Sequence, residues 1–148
     1  MAGLRGLIAF YWDRVDGWYE EDEEVFVHPN DPHVRIDIRA CRRRVIVRMG
    51  EEVIADSRDV LRLFETGLAT RHYFPRADVK AEVLVASETR TRCPYKGEAY
   101  YHSVHAGDRV LEDLVWFYPE PLAEVGRIRD RLCFYAERAD SLTIETAP

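Results

Sequence analysis

TRTRCPYKGEAYYHSVHAGDRVLEDLVWFYP, residues 89–119, reads as three strands joined by tight turns and carries six aromatic residues, two histidines, a cysteine and a lysine. Pro94 presets its own backbone angle and Gly97 permits a positive one, so Cys93-Pro94-Tyr95-Lys96-Gly97 is a tight turn. That turn holds Cys93 and Lys96 at a fixed place. Within the strand that follows, Tyr100 and His102 share one face while Tyr101 and Ser103 share the other; His102 and His105, three apart, point to opposite faces. Trp116 and Tyr118 lie on one face of their own strand.

Working outward toward the N-terminus, the apolar period is two. Val34, Ile36 and Ile38 alternate with charged residues, and Val45, Val47 and Met49 do the same, as half-buried strands do. Arg39 to Arg44 holds four arginines in six positions, and an exposed basic hairpin is the common explanation. Val60, Leu61, Leu63 and Phe64 fit either a short helix capped by Asp56-Ser57 or a buried strand. His72-Tyr73-Phe74 is a short aromatic strand closed by Pro75, and Glu82 to Val85 is another.

The two ends read differently. Leu4, Leu7, Ile8, Tyr11, Val15 and Trp18 recur at helical spacing, and so do Leu122, Val125, Ile128, Leu132, Tyr135 and Ala139 after Pro119 and Pro121. One N-terminal and one C-terminal helix are therefore expected around antiparallel sheets. Glu20 to Glu24 is a solvated acidic turn, Val25-Phe26-Val27 a short strand, and Leu142-Thr143-Ile144 another. Phe10-Tyr11-Trp12-Asp13-Arg14-Val15-Asp16 aligns with Phe134-Tyr135-Ala136-Glu137-Arg138-Ala139-Asp140. This internal likeness implies that residues 1–30 correspond to the tail of one copy of a unit and residues 31–148 to a complete second copy, in one compact whole.

Ala55-Asp56-Ser57, Glu65-Thr66-Gly67, Tyr73-Phe74-Pro75-Arg76 with Asp78-Val79, Thr91 to Gly97, and Val115-Trp116-Phe117-Tyr118-Pro119 occur in the order that marks a bacterial family, the domain of unknown function numbered 427, which also carries a nucleotidyltransferase label. The sequence resembles that family over about Val34 to Ile144. The resemblance implies a mainly β (α+β) domain similar to the β-tent folds of the Mss4-like group, and many members look like tandem copies. The family usually has tryptophan where this chain has His102.

Composition narrows function by exclusion. A chain of 148 residues with net charge −6 has no bulk attraction for nucleic acid or anionic membrane. Cys41, Cys93 and Cys133 form no CxxC pair and no leader precedes the apolar run Leu7 to Trp12, so a cytoplasmic setting is expected, with no metal site and no identified cofactor. Lys96-Gly97 reverses the order of a phosphate-binding loop, and no paired aspartates suit two-metal nucleotidyl transfer.

Three readings follow. The first is a small-molecule or nucleotide-binding domain with Tyr73, Arg76, Tyr95, Tyr101, Trp116 and Tyr118 lining an aromatic pocket for a flat or anionic ligand. The second is a transferase-type enzyme using Cys93 or Lys96, with the lysine favouring the thiolate. The third is a protein-interaction module, homodimerisation included.

Overall fold

The computed structural model describes residues 6–147. Twelve strands follow in chain order: β1 (Tyr19–Glu20), β2 (Glu23–Glu24), β3 (Ile36–Cys41), β4 (Val45–Met49), β5 (Glu52–Ser57), β6 (Val60–Glu65), β7 (Arg71–Phe74), β8 (Leu84–Cys93), β9 (Gly97–Ala106), β10 (Arg109–Phe117), β11 (Leu132–Phe134) and β12 (Leu142–Thr146). Seven form one antiparallel sheet in the order β3-β6-β7-β11-β10-β9-β8, three form a second in the order β12-β4-β5, and β1-β2 is a small exposed hairpin. The protein is mainly β, as the alternating patterns require.

Alternation gives the large sheet two different faces. Val60, Phe74, Val104, Val115, Leu132 and Phe134 point to one side, where they meet Val45, Val47, Ile54 and Leu142 of the three-stranded sheet. Phe74 and Phe134 touch edge to face, 5.6 Å between centroids, in the geometry aromatic pairs favour. Leu61, Leu63, Tyr73, Tyr101, Trp116, Tyr118 and Cys133 point to the other side, where Val125 and Ile128 cover only part of the sheet.

Two bulges lie across β9 from each other. Pairing to β9 slips between Ala86 and Arg90 on β8 and between Leu111 and Val115 on β10. Asp113 takes a left-handed conformation (φ 52°), its carboxylate accepts a 2.7 Å bond from the Thr89 hydroxyl, and its amide donates to Ser103. Bulges bend and twist the strands that carry them, which re-aims side chains on the far side.

Neither expected helix forms. Among described residues of the N-terminal stripe, only Trp12–Arg14 is helical, as one 3₁₀ turn, while Leu7, Ile8 and Tyr11 stand exposed; Leu4 lies outside the described residues. A short helix gains most of its stability from burying an apolar face, and these side chains are not buried. At the other end, Leu122, Val125 and Ile128 are spaced by three, and 3₁₀ turns span Ala123–Ile128. Asp130 then turns left-handed (φ 56°), and Leu132 to Phe134 run as β11 between β7 and β10 before a second 3₁₀ turn at Ala136–Arg138. Val25 to Val27 lies outside any strand, Val60 to Glu65 is a strand rather than a helix, and Glu82 to Val85 divides between a 3₁₀ turn (Ala81–Val83) and the start of β8. Among the described residues no helix is long and apolar enough to cross a membrane.

Candidate functional site

The partly covered face of the large sheet holds a cavity of about 210 Å³. Its wall takes Tyr73 from β7, Tyr101 from β9, Trp116 from β10 and Tyr118 just beyond it, together with Cys93 and Lys96 of the tight turn. Six residues scattered over the sequence thus converge. Glu65, Arg71, Thr91 and Tyr135 complete most of the remaining lining.

The turn is built as its sequence demands. The Lys96 amide donates to the Cys93 carbonyl at 3.3 Å, and Gly97 sits at φ 95°. A Cβ there would lie 3.2 Å from the Glu120 carbonyl oxygen, so both conformation and space call for glycine. The turn carries Lys96 inward: its residue is 8% exposed and its ammonium donates to the Glu65 carboxylate at 2.5 Å. Both side chains are buried, so each charge depends on the other. The ion pair fastens the turn to the end of β6, 31 residues away in sequence.

A second charge pair closes the opposite side. The Arg71 guanidinium meets Glu137 at 2.5 Å and lies over the rings of Trp116 and Tyr135, 5.3 and 5.4 Å from their centroids. Burial opposes the Arg71 charge, yet the Glu137 carboxylate outweighs it and raises the pKa. Trp116 packs against Tyr135 at 4.0 Å and donates its indole N–H to the Tyr73 hydroxyl at 3.3 Å. Tyr101 and Thr91 share a 2.8 Å hydroxyl bond.

Burial raises the pKa of Tyr73, Tyr118 and Tyr135 above the ordinary phenol value, so these hydroxyls keep their protons and remain donors at neutral pH. Tyr118 is 4% exposed, and its hydroxyl has no hydrogen-bond partner among the described residues. Its oxygen is not sealed off, in contrast to the buried and partnerless Arg62 Nε, His72 Nε2 and His102 Nδ1, so it can offer a donor to the hollow.

Two expected members stand elsewhere. Arg76 is on the far side of the sheet, its guanidinium 4.6 Å from the Phe117 centroid and 3.3 Å from His102 Nε2. His102 stacks on Phe117, 5.1 Å between ring centroids. Tyr95 points from the turn into a wider groove of about 750 Å³ shared with residues 20–36, where its hydroxyl accepts the Asp31 amide at 2.8 Å. Cys93 borders both hollows. Arg71, Glu65 and Tyr135 were absent from the sequence prediction. Arg71 immediately precedes the short aromatic strand and Glu65 belongs to an ordered motif, but only the fold shows what faces them.

A family model described as Domain of unknown function (DUF427) matches residues 37–145. No curated protein matches the chain.

Proposed function

The chain belongs to the DUF427 family, and from that premise we propose that it is a small-molecule-binding β domain whose site is the tyrosine-lined cavity beside the Cys93–Gly97 turn. The observation that carries this reading is Tyr118, whose hydroxyl has no hydrogen-bond partner among the described residues and whose residue lines the hollow. Size and charge define the ligand class. At about 210 Å³ the void is below the ~300–1,000 Å³ typical of drug-sized ligands, which suits one flat ring rather than a whole nucleotide. Lys96 and Arg71 each already face a carboxylate, so the wall offers no surplus of positive charge to a polyphosphate. The expected occupant is a small planar molecule, neutral or singly charged, that stacks on Trp116 or Tyr135 and accepts a hydrogen bond from Tyr118.

A thermal-shift screen of heterocycles and small carboxylic acids tests this. A true ligand raises the melting temperature of the wild type and loses about tenfold or more in affinity with Tyr118→Phe, equivalent to about 1.4 kcal/mol. Absence of any hit across nucleobases, aromatic acids and short-chain acids counts against the proposal.

A second reading, an enzyme working through Cys93, is favoured by one observation: this thiol borders both hollows and is partly exposed, whereas Cys41 and Cys133 are buried. Burial also raises the Cys133 thiol pKa, keeping it protonated. Iodoacetamide should therefore modify Cys93 first in the native protein. Equal, slow labelling of the three cysteines would remove this reading.

A further inference from the structure

The seven-stranded sheet ends in β3 on one side and β8 on the other, and the wider groove takes residues from both edges. Ile36, the first residue of β3, lines it together with Arg92 and Cys93, the last of β8. Residues between Glu20 and Asn30 supply the outer wall, and hydrogen bonds hold that wall in place. Trp12 and Trp18 stack at 4.7 Å, and their indole N–H groups donate to the carbonyls of Phe26 and Trp12 at 3.3 and 2.9 Å. The Val25 amide donates to the Trp18 carbonyl and the Asp31 amide to the Tyr95 hydroxyl, both at 2.8 Å. The arm is thereby tied to itself and to the tight turn.

The lining combines apolar surface with carboxylates. Phe26, Val34, Ile36, Pro94, Leu122 and Val125 supply the first, and Phe26 and Leu122 remain 56% and 41% exposed. Glu20, Glu23, Glu24, Glu98 and Glu124 bring five carboxylates against one guanidinium. That guanidinium, Arg92, is already engaged, 3.7 Å from Glu98 and 4.1 Å from the Phe26 centroid. The other four glutamates have no ion pair among the described residues. Glu20 and Glu23 moreover stand directly opposite each other in the β1-β2 hairpin, an arrangement of like charges that destabilises strand pairing. Apolar walls alone would accept any apolar body; the unneutralised carboxylates select its charge.

We propose that this groove binds an amphipathic organic cation, an amine whose apolar body lies along Phe26, Ile36 and Leu122 and whose ammonium meets Glu20 and Glu23. At about 750 Å³ the groove falls within the ~300–1,000 Å³ of small-molecule sites. It is separate from the tyrosine-lined cavity, although Cys93 borders both, and it stands whether or not that cavity binds a ligand.

Tryptamine, tryptophol and indolepropionate share an indole on a short chain and differ in charge, which makes them the probes. Each is titrated into isotope-labelled full-length protein while backbone amide shifts are followed by NMR. Tryptamine should bind with shifts at Phe26, Ile36 and Tyr95, tryptophol about fivefold more weakly, and indolepropionate more weakly still. Glu20→Gln with Glu23→Gln should weaken tryptamine by about fivefold, whereas Glu82→Gln with Glu112→Gln, the same charge change outside the groove, should weaken it less than about twofold. Glu20 and Glu23 are both exposed and repel each other, so the first variant should keep the wild-type melting temperature. Raising the salt from about 0.05 to 0.5 M should also weaken tryptamine by about fivefold, a test that needs no variant. Equal affinity for the three indoles, tryptamine binding indifferent to salt and to Glu20 and Glu23, or no saturable shift below about 10 mM overturns the inference. Tryptamine shifts confined to Tyr101 and Trp116 would overturn it too, while supporting the cavity as the binding site.

Discussion

The two faces of the seven-stranded sheet are made by the same strands, residue against alternate residue, and yet one is sealed and the other is hollow. On the sealed face Val60, Phe74, Val104, Val115, Leu132 and Phe134 pack against Val45, Val47, Ile54 and Leu142 of the second sheet. His72 and His102, which alternate with Tyr73 and Tyr101, bring ring nitrogens to the same side. On the hollow face Tyr73, Tyr101, Trp116 and Tyr118 replace the aliphatics and bring hydroxyls and an indole N–H that need partners. Apolar side chains can fill space without regard to direction; tyrosines must also satisfy their hydroxyls. A core built for stability alone has little use for several phenols and two ion pairs, and the proposed site rests on this difference.

The largest effect expected from breaking this comparison is on the sealed side. Phe134→Ala removes a ring from a fully buried position and should cost about 3–5 kcal/mol of unfolding free energy in urea melts. Next comes the charge pair under the turn: Glu65→Gln leaves the Lys96 ammonium buried without its carboxylate and should cost about 3 kcal/mol, whereas Glu65→Leu combined with Lys96→Met should recover most of the loss. A double variant as unstable as Glu65→Gln would show that the pair is not what the turn depends on.

Acid should act through His72. Its pKa falls from 6.5 to about 4 because burial, and then the nearby Arg62 charge, disfavour its protonated form. The unfolded chain therefore binds a proton that the folded one refuses between those values. Stability from this group is complete above about pH 6.5 and is lost as pH falls toward 4, by roughly 1–2 kcal/mol once the partial exposure of the ring is allowed for. His72→Gln should flatten that part of the pH profile. The smallest effect sharpens the comparison most: Tyr118→Phe should leave stability within about 0.5 kcal/mol of wild type, because the deleted hydroxyl has no protein partner among the described residues.

Much of this was legible before any coordinates. Period-two alternation marked β3, β4 and the strands of residues 89–119, and the pairing of Trp116 with Tyr118 on one face followed from spacing alone. The helices were misread because apolar spacings of three and four also arise from 3₁₀ turns broken by a short strand, and residues 122–139 are such a mixture. That error hid Tyr135, which as a helix residue had no reason to face Trp116. Lys96 was placed at the right turn, but its burial depends on Glu65, and nothing local joins positions 31 residues apart. The likeness of residues 10–16 to 134–140 was visible, while the contrast in burial between Phe10 and Phe134 belongs to the fold.

The central claim is that the hollow face receives a small planar ligand. A high-resolution crystal structure of the wild-type protein soaked with a cocktail of nucleobases and aromatic carboxylic acids tests it most directly. The account predicts planar density against Trp116 or Tyr135, with an acceptor atom about 2.7–2.8 Å from the Tyr118 hydroxyl. A face found packed solid, or filled only by water after such a soak, would contradict it.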